Sequence, residues 1–266
     1  MKKGLLLQLT ALLAGIFCIM LTSCVPGNTF PDQYNVPEET QRKNTYYVPA
    51  APHIPLLYGK GDINVNVMRA SGKYFVGLET QLAYMTGKNF SVGASGSTGS
   101  HDISIAQTMN YTRYEAMIGY IKNIDKTWHF ETYAGLGTGK IKNDHFTGRS
   151  KIKSTHFFLQ PAIAASNENK SVQFVFASRF TGVNLKVTDT SFATGVERFS
   201  AHHLNNLYDK PFQIMWEPTV QFRTGWQNVM FNAQYSYAAG LTNPDLHRSK
   251  YNFSFGVTLR ANFKRK

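Results

Sequence analysis

The chain has 266 residues, with 28 Lys or Arg against 16 Asp or Glu and a formal charge of +12. Aromatic side chains make up 14% and charged ones only 17%, a balance rich in rings and poor in charge for a water-soluble domain. Two cysteines in this length exclude a disulfide framework. One main domain of about 200 residues fits the remainder after a leader and a linker.

Met1, Lys2 and Lys3 precede an apolar run from Leu5 to Leu21 that is interrupted by Gln8 and Thr10. A basic start followed by a short apolar stretch predicts a secretory signal peptide over residues 1–23. The run ends in Leu21, Thr22, Ser23 and Cys24, which resembles the lipobox of bacterial lipoproteins. The resemblance implies that Cys24 is acylated with fatty acids such as palmitate and becomes the new N-terminus. Loss of residues 1–23 removes Lys2 and Lys3 and no acid, leaving 26 basic and 16 acidic residues and a charge of +10. Cys18 goes with the leader, so Cys24 has no disulfide partner. A lipobox excludes nucleic acid as a partner by compartment, and the positive charge suits the phosphate-rich surface of an outer membrane.

Residues 24–60 carry six of the ten prolines, Pro26, Pro31, Pro37, Pro49, Pro52 and Pro55, with no periodicity. This predicts an extended tether. Its second half, with Tyr46, Tyr47, Val48 and the patch from Ile54 to Tyr58, is too apolar for a spacer; packing in a barrel mouth and a plain loop both remain open.

From Gly61 onward the apolar period is two, the signature of strands with one apolar and one polar face. Ten strands are predicted. The first is Asp62 to Met68, the second Tyr74 to Met85, the third, weaker, Phe90 to Gly96, and the fourth Tyr111 to Lys122. Trp128 to Gly139 and Thr155 to Ala165 follow, then a seventh around Val172 to Phe180. The eighth, Phe212 to Arg223, alternates most strictly: Phe212, Ile214, Trp216, Pro218, Val220 and Phe222 against Gln213, Met215, Glu217, Thr219, Gln221 and Arg223. Val229 to Tyr237 and Tyr251 to Phe263 complete the set. Most reach the 9 to 11 residues, roughly, that a tilted strand needs to cross a bilayer. Backbone groups in lipid must pair within the protein, so such strands span only as a closed barrel. The expected fold is all-β: a closed antiparallel up-and-down transmembrane barrel over residues 61–266.

Turn-sized links follow the second, fourth, sixth and eighth strands, and longer loops are expected after the third, fifth, seventh and ninth. That asymmetry predicts periplasmic short turns and extracellular loops. Arg69 to Lys73 is short and departs from the alternation, and Pro161 and Pro218 within strands predict bulges.

The polar faces carry Glu79, Arg113, Glu115, Glu131, Arg179, Glu217, Arg223 and Arg260. Four acids and four bases in a narrow lumen are expected to neutralise one another; a filled lumen and a narrow solute pore both remain open. The stretch from Lys140 to Lys153, with Lys140, Lys142, Arg149, Lys151 and Lys153 against Asp144 alone, is expected to be an extracellular loop; binding of lipopolysaccharide phosphates and a merely solvated charge run both remain open. His101-Asp102, Asp144-His145, His202-His203 and His247 form no dyad by themselves, since adjacent residues of an extended chain point apart. No catalytic residue, metal ligand or cofactor is assigned, and a loop-borne hydrolase stays as the minor alternative.

The whole pattern after residue 60 resembles small bacterial outer-membrane β-barrel proteins, and its lead resembles outer-membrane lipoproteins whose barrel follows a tether. The resemblance implies an outer-membrane location and a structural, binding or transport-accessory role. The partners it implies are membrane lipid, including lipopolysaccharide, and envelope proteins.

Overall fold

The computed structural model describes residues 45–73, 75–104, 107–145, 148–192, 207–226, 228–243 and 246–262. Cys24 and the predicted leader lie outside them.

Ten antiparallel strands form the wall: β1 (Asp62–Gly72), β2 (Phe75–Met85), β3 (Phe90–Ser104), β4 (Gln107–Asn123), β5 (Trp128–His145), β6 (Gly148–Ser166), β7 (Val172–Phe192), β8 (Phe212–Gly225), β9 (Val229–Tyr237) and, last in the chain, β11 (Tyr251–Asn262). A two-residue strand, β10 (Ala239–Gly240), continues the pairing of β9 on β8. Each strand pairs with the next, and β1 closes the ring on β11 over ten residue pairs from Asp62 with Asn262 to Ser71 with Phe253. The polar members of each alternation face the inside. On β8, Gln213, Met215, Glu217, Thr219, Gln221 and Arg223 are all buried, whereas Phe212, Trp216 and Val220 are exposed.

The outside is a continuous apolar belt. Ile118, Leu136 and Phe157 are 68%, 69% and 55% exposed, which a folded chain tolerates only where something other than water covers them. On β5 the belt runs from Trp128 to Leu136, about 20 Å in height for a strand tilted near 40°.

Three expectations are corrected. The links after the third and fifth strands are not long loops: β3 and β4 stay paired as far as Ser104 with Gln107, and β5 and β6 as far as His145 with Gly148. Beyond the belt the outward face turns polar, with Thr138, Lys140 and Lys142 on β5, and the pairing continues after the outward apolar run ends. The prolines do not form bulges. The ladder keeps its register across Pro161 towards β7, lacking the pairs at residues 160 and 161, and across Pro218 towards β9. Each missing N–H costs a local rung, and the shifts in register fall instead between Asp102 and Ser104 and between Lys151 and Ile152.

The third correction concerns the tether. Residues 45–57 are buried without exception and run through the barrel, where they supply apolar side chains to four of the five core clusters. Tyr46 and Tyr47 pack with Ile152, Leu185 and Met215; Val48 with Phe75 and Met109; Ile54 and Leu56 with Ala162, Ala164, Val175 and Ala177; and Leu57 with Met85 and Ile121.

Candidate functional site

The site is the filled lumen. The strap of residues 45–58 makes no ladder with the wall beyond a single bridge between Tyr47 and Arg248, so its backbone must find side-chain partners. Pro49, Pro52 and Pro55 help, since each removes a donor that an unladdered segment would otherwise have to satisfy. The carbonyls take donors from wall amides and guanidinium groups. Asn252 Nδ2 donates to Pro49 O at 3.0 Å, Gln81 Nε2 to Ala51 O at 2.9 Å, and Gln160 Nε2 to His53 O at 2.7 Å. Asn64 Nδ2 donates to Pro55 O at 2.7 Å, and Arg223 donates to the carbonyls of Ile54 and Pro55. The Ala51 amide in turn donates to the Glu79 carboxylate, at 3.1 and 3.2 Å to its two oxygens.

Level with the belt edge, where Glu115 of β4 pairs with Gly137 beside Leu136, lies an ion cluster centred on Glu115. Arg113, two residues away on the same face of β4, donates from Nε to Oε1 at 2.6 Å; Arg179 of β7 reaches across with Nη2 at 2.6 Å and Nη1 at 3.1 Å. His156 Nε2 sits 2.9 Å from Oε1, and Ser95 donates at 3.1 Å. Arg179 Nε is also 3.3 Å from Glu217, its cross-strand neighbour, whose carboxylate accepts from Thr181 and from the strap's Tyr47 hydroxyl at 3.0 Å. Two guanidinium groups and two carboxylates thus balance. The Arg179 guanidinium lies 3.8 Å over the Phe158 ring.

Of the eight charged residues on the polar faces, Arg113, Glu115, Arg179 and Glu217 meet in this cluster. Glu79 and Arg223 hold the strap instead. Glu131 lies within electrostatic reach of Arg223 and Arg260. Arg260 belongs to the short-turn end, its guanidinium 4.7 Å above the Tyr58 ring, where Lys170 stands 4.8 Å from the same ring. Sequence reasoning missed His156, Thr181 and Tyr47 as members of the cluster. His156 faces Gly137 across the strands, and a side chain at Gly137 would collide with its ring. Gly135 likewise leaves room for Phe158, whose ring would lie 2.5 Å from a Cβ there.

The short-turn end is shaped by local capping. In the β4–β5 turn Asp125 accepts from the amides of Thr127 at 2.6 Å and Trp128 at 2.7 Å, and those donors hold its carboxyl below the usual range. In the β6–β7 turn, partial burial and nearby Arg260 lower Lys170.

The basic stretch is not a loop but the outer wall of the β5–β6 extension. Lys142 pairs with Asp144 at 2.6 Å, and Arg149 and Lys151 share Asp189 at 3.2 and 3.0 Å. Lys140 and Lys153 are direct cross-strand partners, and Lys153 is in turn paired with Lys186 of β7. All three are exposed. They form a row of three cations two residues beyond Thr138, Thr155 and Asn184, and four beyond the belt edge at Leu136 and Phe157.

Among the described residues no group of three or more His, Cys, Asp or Glu could hold a metal ion. The side chains of His101, Asp102, His145, His202 and His203 lie outside the described set. No helix among the described residues is long and apolar enough to cross a membrane.

No protein-family model and no curated protein matches the sequence. Among solved structures, the translocator domain of the autotransporter NalP from Neisseria meningitidis is similar at 10% identity and a TM-score of 0.45, over 77% of this chain and 89% of that one. Ail, the attachment invasion locus protein of Yersinia pestis, is similar at 11% identity and 0.35, over 76% and 99%. Pseudomonas aeruginosa OprD is similar at 6% identity and 0.29, over 77% and 95%.

Proposed function

We propose that this chain is a non-enzymatic outer-membrane β-barrel lipoprotein, anchored through Cys24, that seals its own lumen and presents a basic outer wall to lipopolysaccharide and to envelope partners. The observation that carries the reading is the pairing of an exposed apolar belt with a lumen filled end to end by residues 45–57. Apolar side chains outside and charges inside invert the arrangement of a water-soluble protein, and a closed ring leaves no unpaired edge, as lipid requires. The strap occupies the path that a solute would take, so the barrel serves as an anchor and display platform, not a pore. The row of Lys140, Lys153 and Lys186 suits phosphate groups. Like charges directly opposite one another on a sheet repel, and an anion bridging them removes the penalty.

Planar-bilayer recording tests the proposal. The purified full chain is expected to insert without steady conductance; stable channels of uniform size would establish the pore reading instead.

A further inference from the structure

The strap has a direction. Thr45 lies at the end where β3 to β7 extend beyond the belt, and there its amide donates to Asn143 Oδ1 at 3.1 Å and Asn143 Nδ2 donates back to its carbonyl at 3.1 Å. The next residues pair with the β9–β11 connection: Tyr46 N donates to His247 O at 3.0 Å and Ser249 N to Tyr47 O at 3.0 Å. The partners then descend the wall in order. On β4, Arg113 meets Tyr47 and Val48 and Ile121 meets Leu57; on β2, Glu79 meets Ala51 and Met85 meets Leu57; on β8, Glu217 meets Tyr47 and Arg223 meets Ile54. At the far end Tyr58 and Gly59 donate to the Asp62 carboxylate at 2.8 and 2.9 Å. Gly61, with φ of 89°, then turns the chain into β1. Residues 45–58, extended at about 3.3 Å each, reach roughly 45 Å, beyond the ~30 Å of a hydrocarbon core.

We infer that the chain crosses the membrane once inside its own barrel before it begins the wall, from Thr45 at the end where β3 to β7 extend beyond the belt to Tyr58 beside the short turns. Resting on the outer-membrane reading above, with the short turns in the periplasm, this puts Thr45 at the outer rim of the barrel. A tether that started at the inner leaflet and led straight into β1 would have left Thr45 near Asp62.

Thiol labelling tests this, because acylation of Cys24 and removal of Cys18 leave the mature chain without a free thiol. Single variants Gln33→Cys, Thr190→Cys on β7 beyond the belt and Lys88→Cys in the β2–β3 turn are exposed in turn to a membrane-impermeant maleimide, on intact and on permeabilised cells. Heat-modifiable gel migration confirms that each is folded. Gln33→Cys and Thr190→Cys are expected to label on intact cells, and Lys88→Cys at least tenfold less until permeabilisation. If Gln33→Cys follows Lys88→Cys, the threading is wrong. If Thr190→Cys and Lys88→Cys label alike on intact cells, the membrane reading itself fails, which separates the two claims.

Discussion

Glu115 shows how much of this barrel depends on single side chains. Its carboxylate takes Arg113, Arg179, His156 and Ser95, and replacing it by Gln leaves two buried guanidinium groups without full compensation. Removing one member of a buried ion group costs roughly 3–5 kcal/mol. Glu115→Gln is therefore expected to lose that much in urea unfolding from lipid vesicles, and more than Glu217→Gln, because without Glu217 Arg179 still keeps Glu115. Equal losses would mean that the cluster is not centred on Glu115. Part of it was legible from spacing, since residues i and i+2 share a face and place Arg113 beside Glu115. The link from Glu115 to Arg179 was not. It crosses the lumen from β4 to β7, and no local pattern encodes a contact made through the interior.

At the scale of the element, the wall strands were legible where lipid imposes a rule and obscure where it does not. Within the belt the outward positions are apolar apart from threonines such as Thr80 and Thr132, so the faces of all ten strands follow from a period of two. Past the belt, Ser95 to Ser100 on β3 and Lys140 to Lys153 on β5 and β6 have polar residues on both faces, and the ladder continues unannounced. The strap was hidden for a different reason: its partners are single Asn, Gln, Glu and Arg side chains on distant strands, and its prolines look like those of a linker. Two predictions belong here. Val257→Arg, on the outward face of β11 between Phe255 and Leu259 and opposite Val67, is expected to cost about 2–4 kcal/mol, whereas Thr190→Arg, on β7 beyond the belt, is expected to cost close to nothing in the same urea titration. Comparable costs would remove the belt from contact with lipid. Replacing Lys140, Lys153 and Lys186 together by Gln is expected to weaken binding to lipopolysaccharide aggregates by about a hundredfold if each contributes about 1 kcal/mol at an anionic surface. The loss should shrink as salt rises, with folding stability unchanged or slightly higher because a repelling row is gone. Unaltered affinity would dismiss the row as an anion site.

For the molecule as a whole, wall and strap depend on each other. Asn64, Gln160 and Arg223 donate to strap carbonyls that an empty barrel would not offer, and those carbonyls would need water in their place. The ring and its filling should therefore protect each other. Hydrogen–deuterium exchange of the full chain in lipid nanodiscs, followed by peptide mass spectrometry, measures this directly. Peptides covering residues 45–58 are expected to exchange as slowly as those of β4 and β8, with the amide of Ala51 protected by Glu79. Exchange of that segment within seconds, while the wall strands stay protected, would contradict a barrel plugged by its own chain.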